Sequence, residues 1–434
     1  MIRILIIFLL FFLLTGCSFN QNSSFWSKPK KIEKEQIINT EQLIKVEKTL
    51  VKEFNPDLRI NLSGKLINNS FINNFDNNNG RINYNGDLKN ISKFKFSKID
   101  NFYQFEPEII FDKDNIIFFD NKGSIIKFTN SAKLIWKKNY YSKAEKKSKP
   151  ILFFGNNKDT LVVADSVARF YAININTGEL LWSRNHVTSF NSQVKIYKDK
   201  FFAVDFENIL RCYSIKDGKE LWKVKSERSF IKSQKKLSLV IVDNKIFFNN
   251  SVGDITAVDI DSGDLLWQTP TQSNTIYEEN FFIKTSDLIA DNSSILFSNN
   301  KNSFFSLDIE TGILNWKQKI NSNLRSTLIE NLIFSISMEG FLFITDYRSG
   351  NIIRITDIFS QYKIKKRLKI KPVGFIVGSK NIYLTTNHGR LMIIDINSGK
   401  TVSILKIDND KISRPFVLSK NLYIIKENSI IKLN

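Results

Sequence analysis

Histidine is almost absent from this chain, found only at His186 and His388 in 434 residues, and cysteine only at Cys17 and Cys212. Two histidines in different parts of the chain exclude a histidine-rich metal site and offer no obvious catalytic pair. Two cysteines exclude a disulfide framework, and no CxxCH sequence is present to attach a haem. Cys212 reads as a small apolar strand residue. The apolar run at residues 4–14 is about half of the roughly 20 residues a membrane-spanning helix needs. Acids are also scarce, 43 Asp and Glu against 63 Lys and Arg, for a net charge of +20. No basic arm gathers that excess. The densest clusters, Lys143, Lys146, Lys147, Lys149 and Lys363, Lys365, Lys366, Arg367, Lys369, Lys371, read as solvated loops, or else as contacts for anionic headgroups or an acidic partner. Gly374 to Lys380 comes near a phosphate loop but has one residue too few between its glycines, and it does not lead into a helix.

What the chain does have is a repeat. GDITAVDIDSGDLLWQ, from Gly253 to Gln268, reads as two short strands joined by a tight turn, and six other stretches repeat its pattern. Trp136, Trp182, Trp222, Trp267 and Trp316 are spaced by 46, 40, 45 and 49 residues. Glycine stands four positions before four of them, where a short hairpin loop commonly needs a positive φ. The last two copies keep Gly350 and Gly399 but carry Arg354 and Ser403 at the tryptophan position. Upstream of each hairpin lies a second strand pair, such as 239–242 and 245–248 around Asp243-Asn244. Four antiparallel strands in about 44 residues make a propeller blade. Seven units fill 106–414. The tail PFVLSKNLYIIKENSIIKLN offers three more strands, and a strand expected at 88–96 can supply the missing fourth. The expected fold is therefore all-β, an eight-bladed β-propeller over residues 58–434 closed by the two ends of the chain.

Ahead of the propeller, the short apolar run ends at Leu14-Thr15-Gly16-Cys17, which resembles the bacterial lipobox. The resemblance implies a signal peptide at 1–16 and a multiply acylated, palmitate-bearing Cys17, with Ser18 in keeping with outer-membrane sorting. Residues 17–57 then form a tether, in which the apolar spacing between Lys31 and Phe54 suits one amphipathic helix. Asn77-Asn78-Asn79-Gly80 and Asn85-Gly86 are turn signals in an asparagine-rich loop region.

The Asp-Gly-Trp spacing of Asp259, Gly263, Trp267 and of Asp308, Gly312, Trp316 resembles the tryptophan-docking motif of PQQ-like, or quinoprotein-type, propellers. The resemblance covers about three quarters of the chain and implies that the five tryptophans, Trp136, Trp182, Trp222, Trp267 and Trp316, pack between blades as structural residues. A quinoprotein dehydrogenase would further need a calcium site beneath its quinone, an Asp base and, in many members, adjacent cysteines; here Asp259, Asp261 and Asp264 read as turn formers and Cys212 stands alone. No cofactor, metal or catalytic residue is therefore expected. A lipobox followed by one propeller is similar to the BamB family of outer-membrane lipoproteins. That resemblance implies a non-catalytic scaffold of the β-barrel assembly machinery, docked on the BamA-like barrel-forming subunit at the periplasmic face and touching no nucleic acid. The corresponding docking loops are 223–236, with Phe230, Ile231 and Lys232, and 268–284, with Glu278 and Glu279. The alternatives are a PQQ-dependent dehydrogenase-like enzyme or a ligand-binding periplasmic propeller.

Overall fold

Short apolar runs closed by Asn, Asp and Gly turns fold as β-strands in the computed structural model, which describes residues 50–68, 75–100, 102, 106–226, 233, 235–271 and 283–434. Among these residues the strands form eight antiparallel sheets of four strands each. Seven sheets are consecutive in sequence. The eighth is composite: Phe416–Leu418, Asn421–Lys426 and Ser429–Leu433 are completed by Asn90–Lys95, whose Asn90 pairs with Leu433 and whose Phe94 pairs with Ile430. The second and third strands of each blade carry the core. In the fifth blade, Ser294–Asn299 is buried throughout, and Leu296 and Phe304 meet Ile333, Phe341 and Phe343 of the sixth. Burying each such side chain contributes roughly 1.5–3 kcal/mol.

The strict alternation of a half-buried strand fails in the outermost hairpins, for a consistent reason. In the first seven blades a bulge falls one residue before the docking position: Ala257 pairs with Trp267, but Val258 pairs with Leu265, leaving Leu266 unmatched. The extra residue turns both Leu265 and Leu266 outward, 54% and 43% exposed, and aims the next side chain at the following blade. Trp222 thereby lies against Gly263 so closely that a Cβ there would come within 2.7 Å of its ring. The indole N–H of Trp182, Trp267 and Trp316 donates to the carbonyl of Ile215 (2.7 Å), Ile309 (3.2 Å) and Tyr347 (2.9 Å), each three residues before the glycine it covers. Trp136 and Trp222 pack without that bond. In the Trp136 case the carbonyl of Ile175 accepts instead from Lys127 Nζ at 2.9 Å, and Lys127 is ion-paired to Asp112 at 2.6 Å.

Arg354 performs the same docking. Its guanidinium lies against Gly399 and donates to the carbonyls of Ile396 (3.1 Å) and Asn397 (2.6 Å), again just before the glycine. A third bond, to the carbonyl of Leu58 at 2.9 Å, is one that an indole could not add. It fastens a segment that runs from the sixth blade to the seventh: Phe54 exchanges both backbone hydrogen bonds with Ile355, and Ile60 N–H donates to Asn397. Arg354→Trp is expected to keep the docking, with stability within about 1.5 kcal/mol of the parent. The Leu58 carbonyl loses its donor, however, so limited proteolysis should cut residues 50–62 faster; unchanged cleavage would show that Arg354 does not hold them.

The helix expected between Lys31 and Phe54 lies outside the described residues as far as 49, and residues 50–54 are not helical. Two short helices are described, α1 (Lys143–Lys147) and α2 (Ile364–Arg367), both in connections between blades. Since strands alternate in direction, those connections share one face of the ring with the turns between second and third strands.

Candidate functional site

The innermost strands of a propeller leave their free backbone edges along the central axis, and buried edges need partners. Here the chain supplies them. Ile241 N–H of the fourth blade donates to Phe75 O (2.8 Å), Ala290 N–H of the fifth to Asp76 O (3.0 Å), Leu328 of the sixth pairs with the Asn78 side chain (3.1 and 3.0 Å), and Ile82 N–H reaches Val377 O of the seventh (2.8 Å). At the centre stands Asn77, fully buried, with a φ of +58° that asparagine tolerates better than most side chains. Its amide nitrogen lies 3.0–3.2 Å from Gln193 Oε1, Ser238 Oγ, Leu239 O and Leu288 O, and its Oδ1 accepts from Lys195 Nζ at 2.6 Å. The asparagine-rich loop is thus a plug in the channel, tying five blades together.

Beside the plug is a ring of buried charge. Glu108 meets Arg414 at 2.5 Å, Lys236 at 2.8 Å and Arg325 at 3.6 Å. Asp287 takes Arg325 Nη2 at 2.5 Å and Nε at 2.9 Å on one oxygen, with Arg414 at 3.7 Å and Lys235 at 3.9 Å. Burial alone would raise both carboxyls, yet Lys236, Arg414 and Arg325 hold Glu108 below its usual value, and Arg325 with three further cations holds Asp287 far below. Glu108, Gln193, Asp287, Arg325 and Arg414 each stand two residues before the first strand of a blade. Sequence reading missed this set because it aligned the outer hairpins; an alignment of the innermost strands would have shown it.

Lys195 is buried at the junction of plug and ring. Burial, with the Arg325 charge, lowers its pKa to about 7 against the pull of Glu108, Asp76 and Asp287. The unfolded chain keeps an ordinary lysine near 10.5, so between these values it binds a proton that the folded chain refuses. Low pH therefore opposes folding, and stability should rise by about 2 kcal/mol from pH 7 to pH 9. Lys195→Met should flatten that rise; denaturant titrations of both proteins at the two pH values decide the matter.

Of the residues singled out from sequence, the five tryptophans lie at the blade junctions described above. Cys17, Phe230, Ile231, Lys232, Glu278 and Glu279 lie outside the described residues. The two loops that contain the last five join the third blade to the fourth and the fourth to the fifth. Lys235 and Lys236 continue the first of these loops directly into the charged ring. Asp259 accepts at one oxygen from the backbone N–H groups of Asp261 (2.9 Å) and Ser262 (2.8 Å), the geometry of a turn former.

The family model described as outer membrane protein assembly factor BamB matches residues 121–356. The chain belongs to that family. No curated protein sequence matches it. Among solved structures, BamB from Moraxella catarrhalis superposes with a TM-score of 0.65 at 13% identity, covering 80% of this chain and 99% of that one. The quinohemoprotein alcohol dehydrogenase from Comamonas testosteroni gives 0.63 at 10% identity, covering 81% and 78%. A europium-containing methanol dehydrogenase gives 0.64 at 10% identity, covering 82% and 89%. At such identities these likenesses establish the eight-bladed fold. Among the described residues Asn77 and its neighbours fill the axis, and two cavities beside the ring, of about 20 and 10 Å³, each hold about one water molecule, so these residues do not fit a quinone. Among the described residues no group of three or more His, Cys, Asp or Glu is placed to hold a metal ion.

Proposed function

We propose that this protein is a non-catalytic scaffold lipoprotein of the outer-membrane β-barrel assembly machinery, anchored through Cys17 and docked on the barrel-forming subunit by the connections 223–236 and 268–284. The observation that carries the reading is the filled channel. A propeller whose axis is occupied by its own Asn77 has given up the enclosed site that an enzyme of this fold would use, and keeps its rim and loops for contact. Membership of the BamB family supports the partner, and the lipobox supports the anchor. A rigid ring tethered to the membrane acts by raising the local concentration of what it binds, without bond chemistry. In the first loop Phe230 and Ile231 supply apolar contact and Lys232 a charge; in the second Glu278 and Glu279 supply the opposite sign.

The test is affinity purification of the tagged lipoprotein from detergent-solubilised outer membranes, with mass spectrometry of what accompanies it. Recovery of the barrel-forming subunit, reduced at least tenfold by Phe230→Asp or Ile231→Asp, is the expected result, since removing a central apolar anchor costs an interface about 2 kcal/mol or more. A preparation that lacks that subunit and instead shows quinone absorbance or calcium-dependent dehydrogenase activity would replace the scaffold with an enzyme.

A further inference from the structure

The connection from the sixth blade to the seventh has a composition unlike the rest of the surface. From 363 to 371 it reads KIKKRLKIK, with six of nine residues basic. Among the described residues only Arg367 of the six has an ion-pair partner, Asp357 at 2.5 Å, while Lys366 sits over the Tyr362 ring at 5.1 Å. Interleaved with these charges are two aliphatic side chains left in solvent: Ile364 is 78% and Leu368 71% exposed. Standing four apart on α2 and its cap, they share one side of the helix. The base is firmly mounted, because Phe359 and Ile370 are buried in the core shared by the sixth and seventh blades. Exposed aliphatics ringed by unpaired lysines are what an interfacial membrane contact requires, apolar groups to enter the headgroup boundary and cations to meet its charge.

The position of the tether gives the surface its occupant. The chain reaches the propeller at the foot of this same connection: Glu53 Oε1 accepts from the backbone N–H of Asp357 at 2.9 Å, and Asp357 is the partner of Arg367. Thirty-five residues lie between Cys17 and Glu53. The α1 connection is a natural contrast. It is also lysine-rich, but among the large apolar residues exposed on this structure none lies between 141 and 151, and Lys149 is paired with Asp100 at 2.6 Å.

We infer that residues 363–371 form a peripheral membrane contact that binds anionic phospholipid headgroups, with Ile364 and Leu368 entering the interface. The surface chemistry stands apart from the scaffold reading; only the tether argument rests on the lipid anchor proposed for Cys17.

The experiment uses the full mature chain with Cys17→Ser, so that no acyl chain contributes, and measures co-sedimentation with vesicles of phosphatidylcholine alone or with phosphatidylglycerol added. Binding should require phosphatidylglycerol and fall as salt screens it. The triple variant Lys363→Gln, Lys365→Gln, Lys366→Gln should bind roughly tenfold more weakly. Ile364→Ser with Leu368→Ser should do likewise at unchanged charge, about tenfold. Lys143→Gln, Lys146→Gln, Lys147→Gln should change binding by less than about twofold, apart from the loss of net charge. Thermal melts confirm that the variants fold, as all the altered side chains lie at the surface. Equal binding to both vesicles, equal losses from the α1 and α2 triples, or an aliphatic variant that binds normally would overturn the inference. So would loss of a co-purified protein with vesicle binding intact, which would assign the surface to a protein partner. None of these outcomes bears on whether Phe230 and Ile231 hold the barrel-forming subunit, so the two readings fail separately.

Discussion

Asp287→Ala is expected to destabilise the propeller by about 3–5 kcal/mol, the largest effect of any single substitution considered, read as a fall in the denaturant midpoint. The reason is the imbalance it leaves. Arg325, Arg414, Lys235 and Lys236 share two buried carboxylates, and removal of Asp287 leaves Arg325, Arg414 and Lys236 around Glu108 alone while Lys235 loses its ion pair. Asp287→Ala combined with Arg325→Met should recover part of the loss, because the double variant removes the stranded charge along with its partner; a strictly additive result would refute the coupling. The sign with pH follows from the depressed pKa of Asp287. Its contribution is fully present above the ordinary carboxylate range, near 4, and is lost only as pH falls below that range toward the folded value. The gap between the parent and Asp287→Ala should therefore be open at pH 5 and close in strong acid, with a further change near pH 7, where Lys195, which Asp287 helps to keep protonated, titrates.

Asn77→Ala should cost about 3 kcal/mol, with a second signature away from the mutation. The asparagine amide serves acceptors on the third, fourth and fifth blades, and its oxygen is the hydrogen-bond acceptor of Lys195. Alanine takes the amide donor from the buried carbonyls of Leu239 and Leu288, at roughly 1–3 kcal/mol each before water enters, while Gln193 Oε1 keeps Ser238 Oγ and the Leu239 N–H. Amide hydrogen exchange should then accelerate at Ile241, Ala290 and Leu328, whose N–H groups now donate to the plug, while the outer hairpins stay protected. Uniform acceleration across all blades would mean that the plug has no local role and that only global stability has changed.

The fold was legible because a repeat states the same hairpin several times, and its arithmetic leaves one strand missing at the C-terminus and one unused near residue 90. Arg354 was visible as a departure from the repeat, but not as a substitute for it. The sequence shows that tryptophan is gone, whereas the structure shows that a guanidinium can lie flat on the same glycine and donate to the same carbonyl. The plug was legible only as a loop. Asn77 to Gly80 favours turns wherever it is placed, and nothing in those residues says that the turn enters the axis. The charged ring escaped for another reason: the first, fourth, fifth, sixth and eighth blades supply its members one or two at a time, separated by tens of residues of strand, so no local window contains a motif. The docking candidates Phe230, Ile231, Lys232, Glu278 and Glu279 rest on resemblance, and their loops lie outside the described residues.

The composite eighth blade also fixes an order of events. Leu433 is made more than three hundred residues after Asn90, yet they are partners in one sheet. Joining them closes a loop of over three hundred residues, at an entropic cost on the order of 5 kcal/mol that the final strand pair and its neighbours must offset. Because the plug lies between the segment fastened to the sixth blade and strand Asn90–Lys95, it has to be seated as the ring closes. Until residues 415–434 are in place, the first and seventh blades face each other across a gap with apolar edges uncovered. That interval is when the chain is most exposed to aggregation, and a truncation of only the final strand would make it permanent.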